Sequence, residues 1–314
     1  MTKVAFVFPG QGSQKVGMGR EVHEASEAAR AVFAEADAAL RPEGLESITQ
    51  LCFEGPDEDL KLTSNTQPAI VTTSVALLRA LGETPDVAAG HSLGEYAAHV
   101  AAGTLGFADA VRVCRQRGQF MQEAVPVGEG AMAAVMKAEP ELVERICRET
   151  EGVVEPANFN SPGQIVIAGA KGPVEAASAA LKAAGARAVP LAVSAPFHSS
   201  LMQPAQDRLA TVLGATSFQD PAFPVYANVD AAPVGTGDAA RDALIRQVSG
   251  AVRWDESVRQ MVADGVGLFV EIGAGNVLTN LLKRIDGSVA RVSVQTPADF
   301  DAARAAIAEA RAAG

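Results

Sequence analysis

Three residues of this chain have types and settings that can do chemistry: a serine between two glycines, an arginine beside a glycine, and a histidine behind a phenylalanine. The serine sits in Gly90-His91-Ser92-Leu93-Gly94-Glu95, with the apolar segment Pro85 to Ala89 before it and the helix-forming run Tyr96 to Ala102 after it. That order reads strand, tight turn, helix. Flanking glycines remove Cβ atoms that would clash, so Ser92 can sit in strained backbone geometry with its Oγ exposed at the helix start, as a nucleophile does. The helix start also offers unpaired N–H groups, beginning with that of Leu93, to a carbonyl oxygen gaining negative charge. The same pattern arises by chance in Gly- and Ala-rich chains, where the serine is only an N-cap, so Ser92 needs partners elsewhere.

A base for Ser92 is offered by Ser194-Ala195-Pro196-Phe197-His198-Ser199. This segment leads out of one module and back into another, which puts His198 on the cleft between them. Arg117, in Gln116-Arg117-Gly118, lies one position off the helical face shared by Arg112 and Arg115. Those two read as solvated, whereas Arg117 can point toward the end of the sheet.

The elements that must position these groups follow from the patterning. Val4 to Phe8 reads as a buried strand delivering the loop Pro9-Gly10-Gln11-Gly12-Ser13-Gln14. Gly10-x-Gly12 begins a dinucleotide fingerprint, but Lys15 stands where its third glycine belongs, and no G-K-[ST] follows. Helices are expected from Glu21 to Leu40, from Thr66-Gln67-Pro68 through Leu78, and from Phe107 past Met121. Between Gly130 and Ser194 the order becomes β-α-β-β-α-β, a ferredoxin-like arrangement ending in a strand from Ala188 to Val193. Beyond it, Phe223 to Ala227, Gly267 to Ile272 and Arg291 to Val294 read as strands of the larger body. Thr296-Pro297 with Asp299 opens a terminal helix. The expected fold is therefore α/β: a large α/β-hydrolase-like domain, 1–128 and 197–314, with a mostly parallel sheet, and an inserted ferredoxin-like α+β subdomain, 129–196.

Composition narrows the function classes. A formal charge of −11 over 314 residues argues against a nucleic-acid binder or an anionic-membrane binder. Cys52, Cys114 and Cys147 are widely spaced and form no C-x-x-C pair, so they read as small buried hydrophobes in a reducing compartment. No apolar run approaches the length of a membrane span, and the histidines lack metal-ligand spacing. A cytoplasmic protein without a metal site is expected.

Together the loop Gly10 to Gln14, the elbow Gly90 to Glu95, Gln116-Arg117-Gly118 and His198 closely resemble the malonyl-CoA:acyl carrier protein transacylases of fatty acid synthesis. Asn158-Phe159-Asn160-Ser161-Pro162-Gly163-Gln164, Ile245-Arg246-Gln247-Val248 and Trp254 extend the match over essentially the whole chain. The resemblance implies that Ser92 is malonylated, that His198 is its base, and that the N–H groups of Gln11 and Leu93 form the oxyanion hole. It implies that Arg117 pairs with the malonyl carboxylate and that the main-chain carbonyl of Gln247 orients the histidine, so no third carboxylate is expected. Phe197, just before the histidine, goes with malonyl in related polyketide acyltransferases, and Met121 is expected beside it against the substrate. The implied partners are malonyl-CoA and acyl carrier protein, whose phosphopantetheine supplies the acceptor thiol; no cofactor is needed, and a monomer is expected. Two rivals stay open: a serine hydrolase sharing the elbow, against which Arg117 and the insert argue, and a non-catalytic carrier-protein-binding module, against which the intact Ser92, His198 and Arg117 argue. Service in a polyketide pathway or in malonate decarboxylation is also left open.

Overall fold

Apolar from Val4 onward, the segment Lys3–Phe8 has both faces covered, as a central parallel strand requires, and forms β1. The computed structural model describes residues 2–193 and 195–312; Ser194, in the segment leading to His198, lies outside them. In chain order β1 is followed by β2 (Val87–Gly90), β3 (Gly130–Met136), β4 (Val154–Ser161), β5 (Gln164–Ala170), β6 (Arg187–Pro190), β7 (Val225–Ala227), β8 (Ala232–Val234), β9 (Val266–Ile272) and β10 (Ala290–Val294).

Six of these form a sheet in the order β10-β9-β1-β2-β7-β8, parallel except for the short hairpin strand β8. Side chains alternate across it. Val4, Phe6 and Phe8 pack into one hydrophobic core with Phe33 and Ile70, while Ala5 and Val7 face a second core built around Trp254 and Phe269. In a parallel sheet with helices on both faces, ligands meet the loops leaving the carboxyl ends of the strands. Here those loops carry Gln11 after β1, Ser92 after β2 and Asn228 after β7.

The remaining four strands make an antiparallel sheet in the order β4-β5-β3-β6. Helices Pro140–Glu149 and Lys171–Ala183 cover one face, with Val143, Ile146, Val174 and Leu181 set against Val135, Ile165 and Ile167. This sheet is stitched to the larger body beside the functional loops: Phe159 N–H donates to Val252 O at 2.8 Å, and Val252 N–H to Ala157 O at 2.9 Å.

Local structure departs from the sequence reading in a few places. The helix expected over Glu21–Leu40 is two, Arg20–Ala25 and Glu27–Leu40, because Ser26 turns extended and its hydroxyl caps the second by accepting from Ala29 N–H. The helix expected to open at Thr66 starts at Thr63 and holds Pro68 inside. Side chains of its first turn anchor it, Asn65 Nδ2 donating to Asp59 O and Thr66 Oγ1 to Leu60 O. β6 stops at Pro190, short of Val193. Thr296 and Asp299 form a reciprocal capping box around a single 3₁₀ turn, which leads into the terminal helix Phe300–Ala312. Among the described residues no helix is long and apolar enough to cross a membrane, and Cys52, Cys114 and Cys147 are unpaired and buried.

Candidate active site

The turn after β2 works only with glycine at its two ends. A Cβ on Gly90 would lie 1.9 Å from the carbonyl carbon of Gly94, and one on Gly94 would lie 2.0 Å from Phe8 O. This close approach lets the helix Gly94–Ala101 start directly over the end of β1. Ser92 between them has φ +50°, the left-handed region that costs a non-glycine residue of order 1–3 kcal/mol. Asn228 holds the strained turn. Its Oδ1 accepts from Ser92 N–H at 2.6 Å, and its Nδ2 donates to Gly90 O at 2.7 Å.

His198 also sits at positive φ, +60°, and is 4% exposed. Its Nδ1 faces two main-chain carbonyls, Gln247 O at 2.9 Å and Gly250 O at 3.1 Å. Since both are acceptors, Nδ1 carries the proton and Nε2 presents a lone pair to Ser92 Oγ, 2.7 Å away. Burial first, and then the nearby Arg117 cation, pushes the imidazole down to about 3, against the upward pull of the Gln247 carbonyl. The ring is therefore neutral at physiological pH, the state a general base needs.

Arg117 lies on the helix Phe107–Glu123 and is 1% exposed. Gly118 brings that helix against the Thr63–Leu81 helix, where a Cβ would meet Thr63 O at 2.6 Å. The guanidinium is held by two amide oxygens, Nη1 donating to Gln67 Oε1 at 2.8 Å and Nη2 to Gln247 Oε1 at 2.9 Å. Nη2 also reaches Ser92 Oγ at 3.2 Å, and the Tyr96 ring lies under it, 5.6 Å from Cζ to centroid. No carboxylate pairs with Arg117 among the described residues. A buried guanidinium without an anion is costly, and one beside an activated serine is suited to a substrate that brings its own carboxylate.

Two free donors complete the arrangement. Neither Gln11 N–H nor Leu93 N–H has a hydrogen-bond partner among the described residues. Leu93 opens the elbow helix. Gln11 is carried there by Gly10, whose hypothetical Cβ would meet His91 O at 2.5 Å, and its side chain donates to Thr63 Oγ1 at 3.3 Å. Met121 is buried on the Arg117 helix, its sulfur accepting from Gln67 Nε2 at 3.7 Å. Phe197 is half-buried and packs both on the main core and on the cluster of Met132, Ala157 and Val166. No group of three or more His, Cys, Asp or Glu is placed to hold a metal ion among the described residues.

Residues 5–298 match the model of the acyl transferase domain. The chain belongs to the acyl transferase family. It is 51% identical over 310 residues to the malonyl CoA-acyl carrier protein transacylase of Escherichia coli K12, covering 96% of this chain and 99% of that one. It is 46% identical to the protein of that name from Bacillus subtilis, covering 96% of each. Among solved structures it is similar to an acyl carrier protein S-malonyltransferase from Vibrio cholerae, at TM-score 0.93 and 47% identity, covering 96% of this chain and 100% of that one. It is also similar to a malonyl-transacylase in complex with its type II PKS acyl-carrier protein, at TM-score 0.92 and 45% identity, covering 96% and 99%.

Within this family member the structure brings Ser92, His198, Arg117 and Gln247 together, and it adds residues the sequence reading missed. Gln67 lies in the helix expected to open at Thr66, where nothing in the pattern marks it, yet it holds Arg117. Asn228 follows β7 directly, and a polar residue at the carboxyl end of a buried strand was an available signal. His91 Nε2 contacts Asn160 Oδ1 at 2.8 Å, linking the elbow to β4, and burial pushes its imidazole below the usual range. Arg115, expected to be solvated, is half-buried and donates to Asn65; Arg112 pairs with Asp109 at 2.5 Å on the surface.

Proposed function

We propose that this chain transfers the malonyl group of malonyl-CoA to the phosphopantetheine thiol of an acyl carrier protein, through a malonyl-Ser92 intermediate, in fatty acid biosynthesis. The observation that carries the reading is Arg117, buried without a carboxylate of its own and 3.2 Å from Ser92 Oγ. The relatives' names, which specify malonyl CoA and acyl carrier protein, support it.

Ser92 Oγ attacks the thioester carbonyl while its proton passes to His198 Nε2. The N–H groups of Leu93 and Gln11 receive the carbonyl oxygen as it becomes negative. As the C–S bond breaks, the coenzyme A sulfur leaves and takes the proton from Nε2. Arg117 grips the far carboxylate with its planar fork, which a lysine would imitate poorly. In the second half the carrier's thiol gives its proton to Nε2 and attacks malonyl-Ser92, and collapse returns the proton to Oγ. The Gln247 and Gly250 carbonyls hold the Nδ1–H tautomer throughout, the part a carboxylate plays in a Ser-His-Asp triad. Phe197 and Met121 line the acyl pocket in this reading.

The thioester carries its own activation, so the reaction uses no cofactor or metal. One chain contributes every residue named above, so the site needs no second subunit and the reading is of a monomer; three unpaired cysteines suit the cytoplasm. The strand order β4-β5-β3-β6 with two helices on one face supports a ferredoxin-like subdomain, 129–196, inserted in an α/β-hydrolase-like domain, 1–128 and 197–314. Lys171, Lys182, Arg187, Lys283 and Arg284 are exposed and form candidate contacts for an acidic carrier protein.

Intact-protein mass spectrometry after separate mixing with malonyl-CoA, acetyl-CoA and methylmalonyl-CoA tests the reading. A malonyl adduct that Ser92→Ala abolishes is expected. Absence of any adduct on the wild-type chain would overturn it.

A further inference from the structure

The active site described above contains one carboxylate that its chemistry does not use. Glu95 closes the elbow motif and is 0% exposed. Its Oε2 accepts from Gln247 Nε2 at 2.8 Å and from Asn228 N–H at 2.9 Å. Its Oε1 has no hydrogen-bond partner among the described residues, with His99 Nε2 at 3.9 Å as its polar neighbour. Gln247 is thus a branch point. Its Nε2 donates to Glu95 Oε2 and to Ser92 O at 2.9 Å, its Oε1 accepts from Arg117, and its main-chain oxygen accepts from His198 Nδ1.

We infer that Glu95 is a positioning residue that aims Arg117 through the Gln247 amide and balances its charge without pairing with it. This rests on the reading of Arg117 as the holder of the substrate carboxylate. A flipped Gln247 amide would set its oxygen against two acceptors, Glu95 Oε2 and Ser92 O, and its NH₂ against the guanidinium. An acceptor-only group at position 95 removes that alternative, so Oε1 always faces Arg117. Charge favours the same arrangement. A carboxylate in direct contact with Arg117 would take the donors that the substrate needs, whereas one held a single amide away offsets the buried cation and leaves Nε, which has no partner among the described residues, and the second Nη1 hydrogen unclaimed. Asn228 gives Glu95 a second reach, since the backbone N–H it fixes belongs to the residue whose side chain clamps Ser92.

The test compares loading of Ser92 from malonyl-CoA and acetyl-CoA by rapid quench, in the Arg117 and Arg117→Ala backgrounds. Glu95→Ala is expected to lower kcat/KM for malonyl-CoA about 100-fold and for acetyl-CoA only about 10-fold, because acetyl draws on His198 and Ser92 but not on Arg117. Glu95→Gln, whose amide oxygen can still accept from Gln247 and Asn228 but which carries no charge and adds a donor, should restore only part of the malonyl preference and fall between Glu95→Ala and the wild type. In the Arg117→Ala background the extra malonyl loss should vanish, a non-additivity that a general packing defect does not produce. Equal losses for the two substrates with Arg117 present, or additive losses across the cycle, would overturn the inference. If Glu95→Ala does not fold, Glu95→Asp, which draws the carboxylate back by one methylene, reads the same change in preference. A wild-type chain that takes no malonyl would refute the function itself, whereas a wild type that loads malonyl beside variants with unchanged preference refutes only the role of Glu95.

Discussion

Arg117→Ala should reverse the substrate preference of the enzyme, and the size of the effect follows from where the guanidinium sits. At 1% exposure, with amide and hydroxyl oxygens as its hydrogen-bond partners among the described residues, it would meet an incoming carboxylate in a site that excludes water. Removing one member of a buried charge pair costs about 3–5 kcal/mol, because the remaining charge stays desolvated and unpaired. That is roughly 150- to 5,000-fold in kcat/KM for malonyl-CoA. Acetyl-CoA presents a methyl group, loses no ion pair, and should hold or gain. The variant also frees the Gln67 and Gln247 amide oxygens, each about 1–3 kcal/mol if left unsatisfied, so a urea melt must accompany the kinetics. Acyl loading of Ser92, measured with both labelled thioesters, is the assay. If malonyl and acetyl rates fell by the same factor in a folded variant, Arg117 would be a structural cation and the acyl pocket would lie elsewhere.

Three further outcomes can be checked. Because the neutral imidazole is the active form and His198 is pushed down to about 3, kcat/KM for loading should stay flat as pH falls from 8 to about 5, well below the ordinary imidazole range, with circular dichroism verifying the fold; an acid limb centred near 6.5 would contradict this. Asn228→Ala should lower unfolding stability by about 2–4 kcal/mol in urea and loading still more, since two buried hydrogen bonds on the strained Ser92 turn are lost together; a loss under about 0.5 kcal/mol would show that Asn228 does not clamp the turn. This chain is acidic at −11, so if exposed cations near the cleft guide an acidic carrier protein, kcat/KM for the carrier should fall with salt more than that for free pantetheine; a carrier rate rising steadily with salt would mean that net repulsion governs the encounter.

How much of this was legible in the sequence depended on how local the cause is. The elbow could be read because its glycines answer contacts within five residues of each other and with the adjoining strand. The parallel sheet could be read because buried strands announce themselves as apolar runs between helical stretches. The helix break at Ser26 was hidden, since Val22, Ala29 and Val32 keep nearly the same apolar period on either side of it. Arg117 could be singled out from Arg112 and Arg115 by its place on the helix, but the oxygens that hold it could not. Gln67 and Gln247 lie 50 and 130 residues away, and Asn228 is 136 residues from the serine whose N–H it receives. Such partners carry no spacing signal, because only the meeting of distant strand ends at one edge of the sheet makes them neighbours.

That meeting also couples substrate choice to the strength of the base. Arg117 is the second cause, after burial, of the low proton affinity of His198. In the function proposed here a malonyl carboxylate docks on the guanidinium; the cation that disfavours imidazolium would then be neutralised, and His198 would become a better proton acceptor just as Ser92 must give up its proton. The carboxylate stays in place on malonyl-Ser92, so the same gain serves the thiol of the second half-reaction. Acetyl-CoA brings no such charge and leaves the base weakened. Discrimination against acetyl should therefore reach kcat as well as KM, and Arg117→Ala, by removing the cation outright, should raise kcat for acetyl loading at and above neutrality and let that gain fade as pH falls toward the raised His198 value. Measuring kcat for acetyl in the variant between pH 5 and 8 separates this from a pure binding role: if Arg117 acted on binding alone, acetyl kcat would be the same with and without it at every pH.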